Sequence, residues 1–198
     1  MPVNPLPAVF AIRRRLIILT GLGALLYAIA GCSNTPGDLA PLARGAMAKL
    51  EVSRHPAPVP DTPFADAAGK PHTLADFKGR IAVVNIWAIW CAPCKAEIPS
   101  LARLQAAYAG KPLVVAAISV GKGDDEPAGH RFIDRNPPLM FYSEPTYTLA
   151  YAFKPMMEGM PTTIIYDRHG VERARLSGGA DWSGPDARAV IDSLLAEK

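Results

Sequence analysis

Cys91 and Cys94 are separated by Ala92 and Pro93, and the four residues follow an apolar run that ends Ile86-Trp87-Ala88-Ile89-Trp90. Two thiols at this spacing can close a disulfide across one helical turn. If the pair opens a helix, the unpaired N–H groups and dipole there lower the pKa of the first thiol. That favours the thiolate, the form that attacks a disulfide. The pair therefore predicts a redox centre with Cys91 as the exposed nucleophile and Cys94 as the buried resolving partner. A bridge this short closes almost no loop, so it stabilises the chain little through entropy. The pair is there to react.

The surrounding pattern supplies the elements that would hold it. Ile81–Trp87 is a nearly continuous, β-branched apolar run, the signature of a central strand buried on both faces. After the cysteines, Ile98, Leu101, Leu104 and Tyr108 recur at steps of three and four and mark one face of a helix. Pro93 falls in its first turn, where a missing N–H costs nothing, and Pro99 predicts a kink. Gly110-Lys111-Pro112 closes this helix, and Leu113–Ser119 reads as a second buried strand. Strand, helix and strand make a right-handed parallel unit.

The flanks are less regular. Phe64–Leu74 predicts two short strands around a turn, with a helical turn at Leu74–Phe77. A loop over 120–127 leads to a helix over 128–136, a short strand at 139–142 and a helical stretch over 145–153. Pro161 then introduces a hairpin, with strands at 162–167 and 171–177 around Arg168-His169-Gly170. A last helix follows Ser183-Gly184-Pro185-Asp186.

The chain has 198 residues, enough for one domain with terminal extensions. Its formal charge of +3 comes from Arg13, Arg14 and Arg15, since the remaining 18 basic residues balance 18 acidic ones. A neutral body excludes the clustered basic face that nucleic acid demands, and no nucleic-acid partner is expected. The three arginines precede an uncharged apolar run, Leu16–Ala30, of fifteen residues. A membrane-spanning helix needs roughly 17–25 residues, so this run fits the core of a signal peptide. It ends Ile29-Ala30-Gly31-Cys32, which resembles a bacterial lipobox with Cys32 as the lipid-attachment residue. The alternative is an uncleaved anchor helix. Either way the body lies outside the cytoplasm. The expected organisation is a leader over 1–31, a Pro-rich tether over 32–60 and a domain over 61–198. Within the tether, Leu39–Leu50 has enough periodicity for a short packed helix. With Cys32 consumed by lipid, Cys91 and Cys94 are the only free pair among three cysteines.

The element order and the stretch Trp87-Ala-Ile-Trp-Cys-Ala-Pro-Cys94 resemble the thioredoxin fold: α/β, a central mixed sheet flanked by helices. The continuation Lys95-Ala-Glu97-Ile-Pro99 is similar to the TlpA/ResA branch, membrane-tethered thiol–disulfide oxidoreductases of the bacterial envelope. Gly159-Met160-Pro161-Thr162-Thr163, Asp167-Arg168-His169-Gly170 and Leu176-Ser177-Gly178 extend the resemblance over residues 60–197. It implies an N-terminal strand extension and a TlpA-type insertion. It also implies a cis Pro161 lying against the cysteines, which exposes the Met160 backbone to an incoming peptide strand.

Asn85 stands where thioredoxin carries a buried Asp that handles protons, and Asn does not titrate. By resemblance, Glu97 takes that role. One turn beyond Cys94, it would have a raised pKa and relay a proton to or from that thiol. The alternative is an exposed first-turn Glu held there by the helix dipole. Trp90, with Pro93 and Met160, would form an apolar platform for the substrate, while Trp87 packs in the core.

The resemblance implies no cofactor beyond the Cys91–Cys94 disulfide and no metal. A Pro before the second Cys accompanies the reducing members, so a reductase is expected. Its partners would be disulfide-bearing envelope proteins and a DsbD/CcdA-like membrane electron donor, with the membrane held through lipid or anchor. Candidate settings are cytochrome oxidase assembly and cytochrome c maturation. Thr162 after Pro161, where the second group usually carries an acid nearby, favours the TlpA side, as does Trp182. The rival reading is a Sco-like copper chaperone, which uses Cys-x-x-x-Cys and a distal His. Met156, Met157 and Met160 could offer soft ligands, but the spacing is Cys-x-x-Cys, and His130 and His169 lie in a predicted helix and turn. A second ligand pair for zinc is missing, and a peroxiredoxin does not use a Trp-Cys-x-x-Cys helix start.

Overall fold

Two runs of seven residues, Ile81–Trp87 and Leu113–Ser119, are buried at every position. Side chains alternate faces along a strand, so such runs need cover on both sides. In the computed structural model, which describes residues 37–197, they form β4 and β5, paired in parallel from Ile81↔Leu113 to Trp87↔Ser119. The crossover between them is α1, Ala92–Ala107, whose buried face carries Ile98, Leu101 and Leu104. Helix α1 continues through Pro99.

Among the described residues the sheet has eight strands, in the order β1 (Leu50–Val52), β8 (Glu172–Ser177), β7 (Thr162–Tyr166), β4, β5, β6 (Tyr142–Ser143), β2 (Phe64–Asp66) and β3 (Pro71–His72). Strands β7 (Thr162–Tyr166) and β8 (Glu172–Ser177) form the antiparallel hairpin that places β7 beside β4. On the other side β6, Tyr142–Ser143, runs parallel to β5 and carries the hairpin of β2 (Phe64–Asp66) and β3 (Pro71–His72). Helices α2 (Asp125–Asp134) and α3 (Thr148–Ala152) lie in the segment between β5 and β7, and α4 (Pro185–Leu195) ends the fold. This is the expected thioredoxin architecture.

Local chemistry moves some boundaries. Helix α2 starts three residues before the predicted 128 and ends two before the predicted 136. The predicted strand at 139–142 contributes only Tyr142 to β6, because Pro137 and Pro138 cannot donate and the chain turns through Asn136 and Leu139. Helix α3 has five residues rather than nine, and the Glu144 carboxylate accepts from the amides of Thr146 and Leu149 at its start.

The tether needs correcting over its described part. From Gly37 the segment is packed onto the domain: Leu39, Leu42, Met47 and Leu50 are buried core residues. It forms two 3-10 turns, Ala40–Leu42 and Gly45–Met47, and then β1, Leu50–Val52, antiparallel to β8. Pro41 and Gly45 prevent the continuous helix that the periodicity of Leu39–Leu50 suggests. Further on, Val59 is buried and Pro58 bridges to Val171. The leader, with Arg13–Arg15 and the lipid-attachment candidate Cys32, lies outside the described residues. Among the described residues no helix is long and apolar enough to cross a membrane.

Candidate active site

Strand β4 ends at Trp87, and the chain turns through Ala88–Trp90, where the Cys91 amide donates to the Ala88 carbonyl at 3.1 Å. Cys91 is the N-cap of α1 and Cys94 lies in its first turn, so the end of central strand β4 and the helix start fix both sulfurs. They form a disulfide with Cα atoms 5.3 Å apart, and the Cys94 amide donates to Cys91 Sγ at 3.3 Å. When the bridge opens, that amide and the helix terminus favour a thiolate at Cys91. Cys94 has no solvent exposure and Cys91 has 6%, so the nucleophile expected to be exposed is itself buried in the oxidised pair and is only slightly the more accessible of the two.

The rim beside them is apolar. Trp90 is 56% exposed, Pro93 is also exposed, and Trp87 is enclosed in the core. Thr162 pairs with Ile86, so the preceding residue, Pro161, sits level with Trp87 at the end of β4 that leads to Cys91. The Met160–Pro161 bond is cis, and the Pro161 carbonyl accepts from the Gly178 amide at 2.8 Å. Gly178, with φ of 92°, takes a left-handed conformation that a side chain would resist, and it turns the chain out of β8 toward α1. There Gly179 lies against Pro93: a Cβ on it would fall 3.6 Å from the Pro93 carbonyl oxygen.

Glu97 is 3% exposed. It is not a solvated first-turn residue. Its Oε1 accepts from Asn85 Nδ2 on β4 at 2.7 Å. Its Oε2 accepts from the Ala180 amide at 3.1 Å and from Trp182 Nε1 at 3.2 Å. Burial pushes the Glu97 pKa up to about 7, against the opposing pull of the hydrogen bonds from Ala180, Asn85 and Trp182. Asn85 Nδ2 also donates to Thr163 Oγ1 on β7 at 2.9 Å, while Asn85 Oδ1 is buried without a hydrogen-bond partner. Ser100 completes the support, accepting from the Trp182 amide at 3.0 Å and donating to the Glu97 carbonyl at 2.8 Å.

A shallow groove of about 460 Å³ runs beside this carboxyl, lined by Pro93, Ala96, Glu97, Ser100, Arg103, Gly179, Ala180 and Asp181. It gives Glu97 an edge toward solvent on the flank of α1 that carries Pro93. Chemically, the arrangement offers a dithiol, a buried acid one turn from the resolving sulfur, and a route for a proton. Ala180, Ser100 and Thr163 are absent from the sequence-based candidates. The bonds that tie them to Asn85, Glu97 and Trp182 span 78 to 83 residues along the chain, and no local spacing signals them.

The histidines of the rival reading are dispersed: His130 pairs with Asp134 on α2 and stacks on Phe141, and His169 lies in the β7–β8 turn. Among the described residues no group of three His, Cys, Asp or Glu side chains gathers as a metal site.

Residues 55–175 match the AhpC/TSA family. Over 121 residues the chain is 29% identical to the thiol-disulfide oxidoreductase ResA of Geobacillus thermodenitrificans, covering 60% of this chain and 67% of the relative. Over 128 residues it is 32% identical to the thiol:disulfide interchange protein DsbE of Pseudomonas aeruginosa, covering 64% and 67%. The fold is similar to the crystal structure of a thiol:disulfide interchange protein of the thioredoxin family from Chlorobium tepidum. The TM-score is 0.58 at 25% identity, over 73% of this chain and 99% of that one.

Proposed function

We propose that this chain, which belongs to the AhpC/TSA family and is a thiol-disulfide oxidoreductase of the ResA/DsbE type, works as a reductase of protein disulfides in the bacterial envelope. The observation that carries the reading is Glu97: a carboxyl buried one turn beyond Cys94, raised to about 7 and open to a groove. Near neutral pH such a group can both take and return a proton.

The cycle starts from the dithiol. Cys91 thiolate attacks a substrate disulfide, forming a Cys91–substrate mixed disulfide and releasing one substrate sulfur as a thiolate that picks up a proton from solvent. Cys94 thiol then gives its proton to the Glu97 carboxylate and attacks Cys91 Sγ. The Cys91–Cys94 bond forms, the mixed disulfide breaks, and the second substrate sulfur leaves as a thiolate. The substrate gains two electrons and the enzyme loses them. Glu97 returns its proton to solvent through the groove, and a membrane electron donor of the DsbD/CcdA kind restores the dithiol.

Trp90, Pro93 and Met160 supply the apolar rim for the substrate chain, and Pro161 holds the backbone of Met160 beside it. The apolar leader and Cys32 support tethering to the periplasmic face of a membrane by lipid or by an uncleaved anchor. Thr162 and Trp182 favour clients in cytochrome oxidase assembly over those in cytochrome c maturation.

Trapping tests the cycle. Expressed in a bacterial envelope, Cys94→Ser should accumulate protein adducts that dithiothreitol releases, and Cys91→Ser should accumulate none. Equal adduct levels in the two variants would remove the nucleophile assignment. Stoichiometric copper on the purified protein, lost in Cys91→Ser, would turn the reading toward copper delivery.

A further inference from the structure

The two oxygens of the Glu97 carboxyl have different neighbours. Oε2 accepts from the Ala180 amide and the Trp182 indole, both N–H groups that can only donate. A proton arriving on the carboxyl therefore goes to Oε1, which faces Asn85 at 2.7 Å. An O–H there would point at the Asn85 NH₂, a donor against a donor. Asn85 is fully buried between β4, α1 and β7, and its other end, Oδ1, has no partner.

We infer that Asn85 is a positioning residue whose amide turns over when Glu97 takes a proton, presenting Nδ2 to the carboxylate and Oδ1 to the acid. The turn exchanges N for O with no change of shape, about a side-chain torsion that is broad and nearly two-fold. The 2.7 Å separation suits a charge-assisted N–H···O⁻ bond and equally suits O–H···O. Thr163 Oγ1, at 2.9 Å from Nδ2, fits both states because a hydroxyl accepts from the amide nitrogen and donates to the amide oxygen. The Glu97 carboxyl thus stays in place and hydrogen-bonded in both charge states, accepting the Cys94 proton as the carboxylate and releasing it as the acid. An Asp at position 85 would bring a second charge; an Asn brings a reversible dipole.

The inference rests on the relay reading of Glu97. The groups bonded to this carboxyl are Asn85 on β4 and Ala180 and Trp182 after β8; Ser100 on α1 holds the Glu97 carbonyl, and Thr163 on β7 holds Asn85. Arg103 and Asp181 are the charged side chains that share its groove.

The test is a pH titration of the oxidised full chain by NMR, following the Glu97 carboxyl carbon and the Asn85 side-chain amide from pH 5 to 9. In the oxidised form neither cysteine titrates, so Glu97 is observed without them. The amide signals of Asn85 should move in a single step at the midpoint of Glu97, and the step should vanish in Glu97→Gln. A titrating Glu97 beside a flat Asn85 overturns the turning amide alone, whereas a Glu97 that does not titrate in this range overturns the relay itself. As a functional readout, Asn85→Leu should slow the Cys94 step that resolves the mixed disulfide by about tenfold and leave the first attack by Cys91 unchanged. Unchanged resolution would contradict the assignment.

Discussion

Asn85 on β4 and Glu97 on α1 meet at 2.7 Å, and this contact joins the central strand to the helix that carries the cysteine pair. It places an acid where burial favours the neutral form and three donors favour the charged one. The balance leaves the carboxyl poised near neutrality, at about 7. A proton can pass in either direction there without a large driving force, which suits thiol–disulfide exchange at the same pH.

The raised value makes stability depend on pH. Between the ordinary 4.5 and the folded value of about 7, the folded chain keeps a proton that the unfolded chain has released. The contribution of Glu97 is therefore fully present below about 4.5 and is lost as pH rises through about 7. The loss is on the order of 3 kcal/mol. Urea unfolding of oxidised protein at pH 5 and 8 should show it as a decline in the wild type that Glu97→Gln lacks. Parallel profiles would refute the raised value.

Trp182→Phe keeps the ring in its buried site and removes the N–H that holds Glu97 Oε2 at 3.2 Å. Losing a donor to the charged form should raise the Glu97 midpoint further, by about one unit. The variant should lose about 1–2 kcal/mol more stability at pH 8 than at pH 5. A carboxyl-carbon titration and unfolding at the two pH values check both effects.

The exposed ring of Trp90 should matter for protein clients and not for small thiols. Trp90→Ala is expected to slow reduction of a protein disulfide by about tenfold, equivalent to 1.4 kcal/mol of docking. Exchange with glutathione should change less than twofold. An equal effect on both would assign Trp90 to the sulfur chemistry itself.

Away from the site, Glu172 and Arg175 form a buried ion pair, with Nη2–Oε2 at 2.8 Å and Nε–Oε1 at 2.9 Å. Ser53 Oγ donates to the same carboxylate at 2.8 Å, tying the segment after β1 to β8. Glu172→Gln leaves the Arg175 charge without its counter-ion and should cost about 3–5 kcal/mol. The pH profile of cysteine alkylation should stay as in the wild type when measured well below the melting temperature.

The parts of this fold that were legible in the sequence are those set by neighbours in the chain. Ile81–Trp87 and Leu113–Ser119 announce their burial by composition, and Ile98, Leu101 and Leu104 announce a helix face by spacing. Cys91 and Cys94 carry their chemistry in their separation. The periodicity of Leu39–Leu50 announced a packed segment but not its form, because Pro41 and Gly45 break it into two 3-10 turns and the partner strand of β1, β8, lies more than a hundred residues on. The cradle of Glu97 was legible only in outline. Asn85 showed itself as a missing acid, and Trp182 as a family likeness, while their meeting on one carboxyl is a product of tertiary packing.

The reduction potential of the Cys91–Cys94 couple decides whether it donates electrons to other disulfides. Equilibrated against a thioredoxin couple at pH 7, the protein should lie near the thioredoxin value of about −270 mV. A potential near about −120 mV, that of the strong oxidant DsbA, would contradict the reductase account.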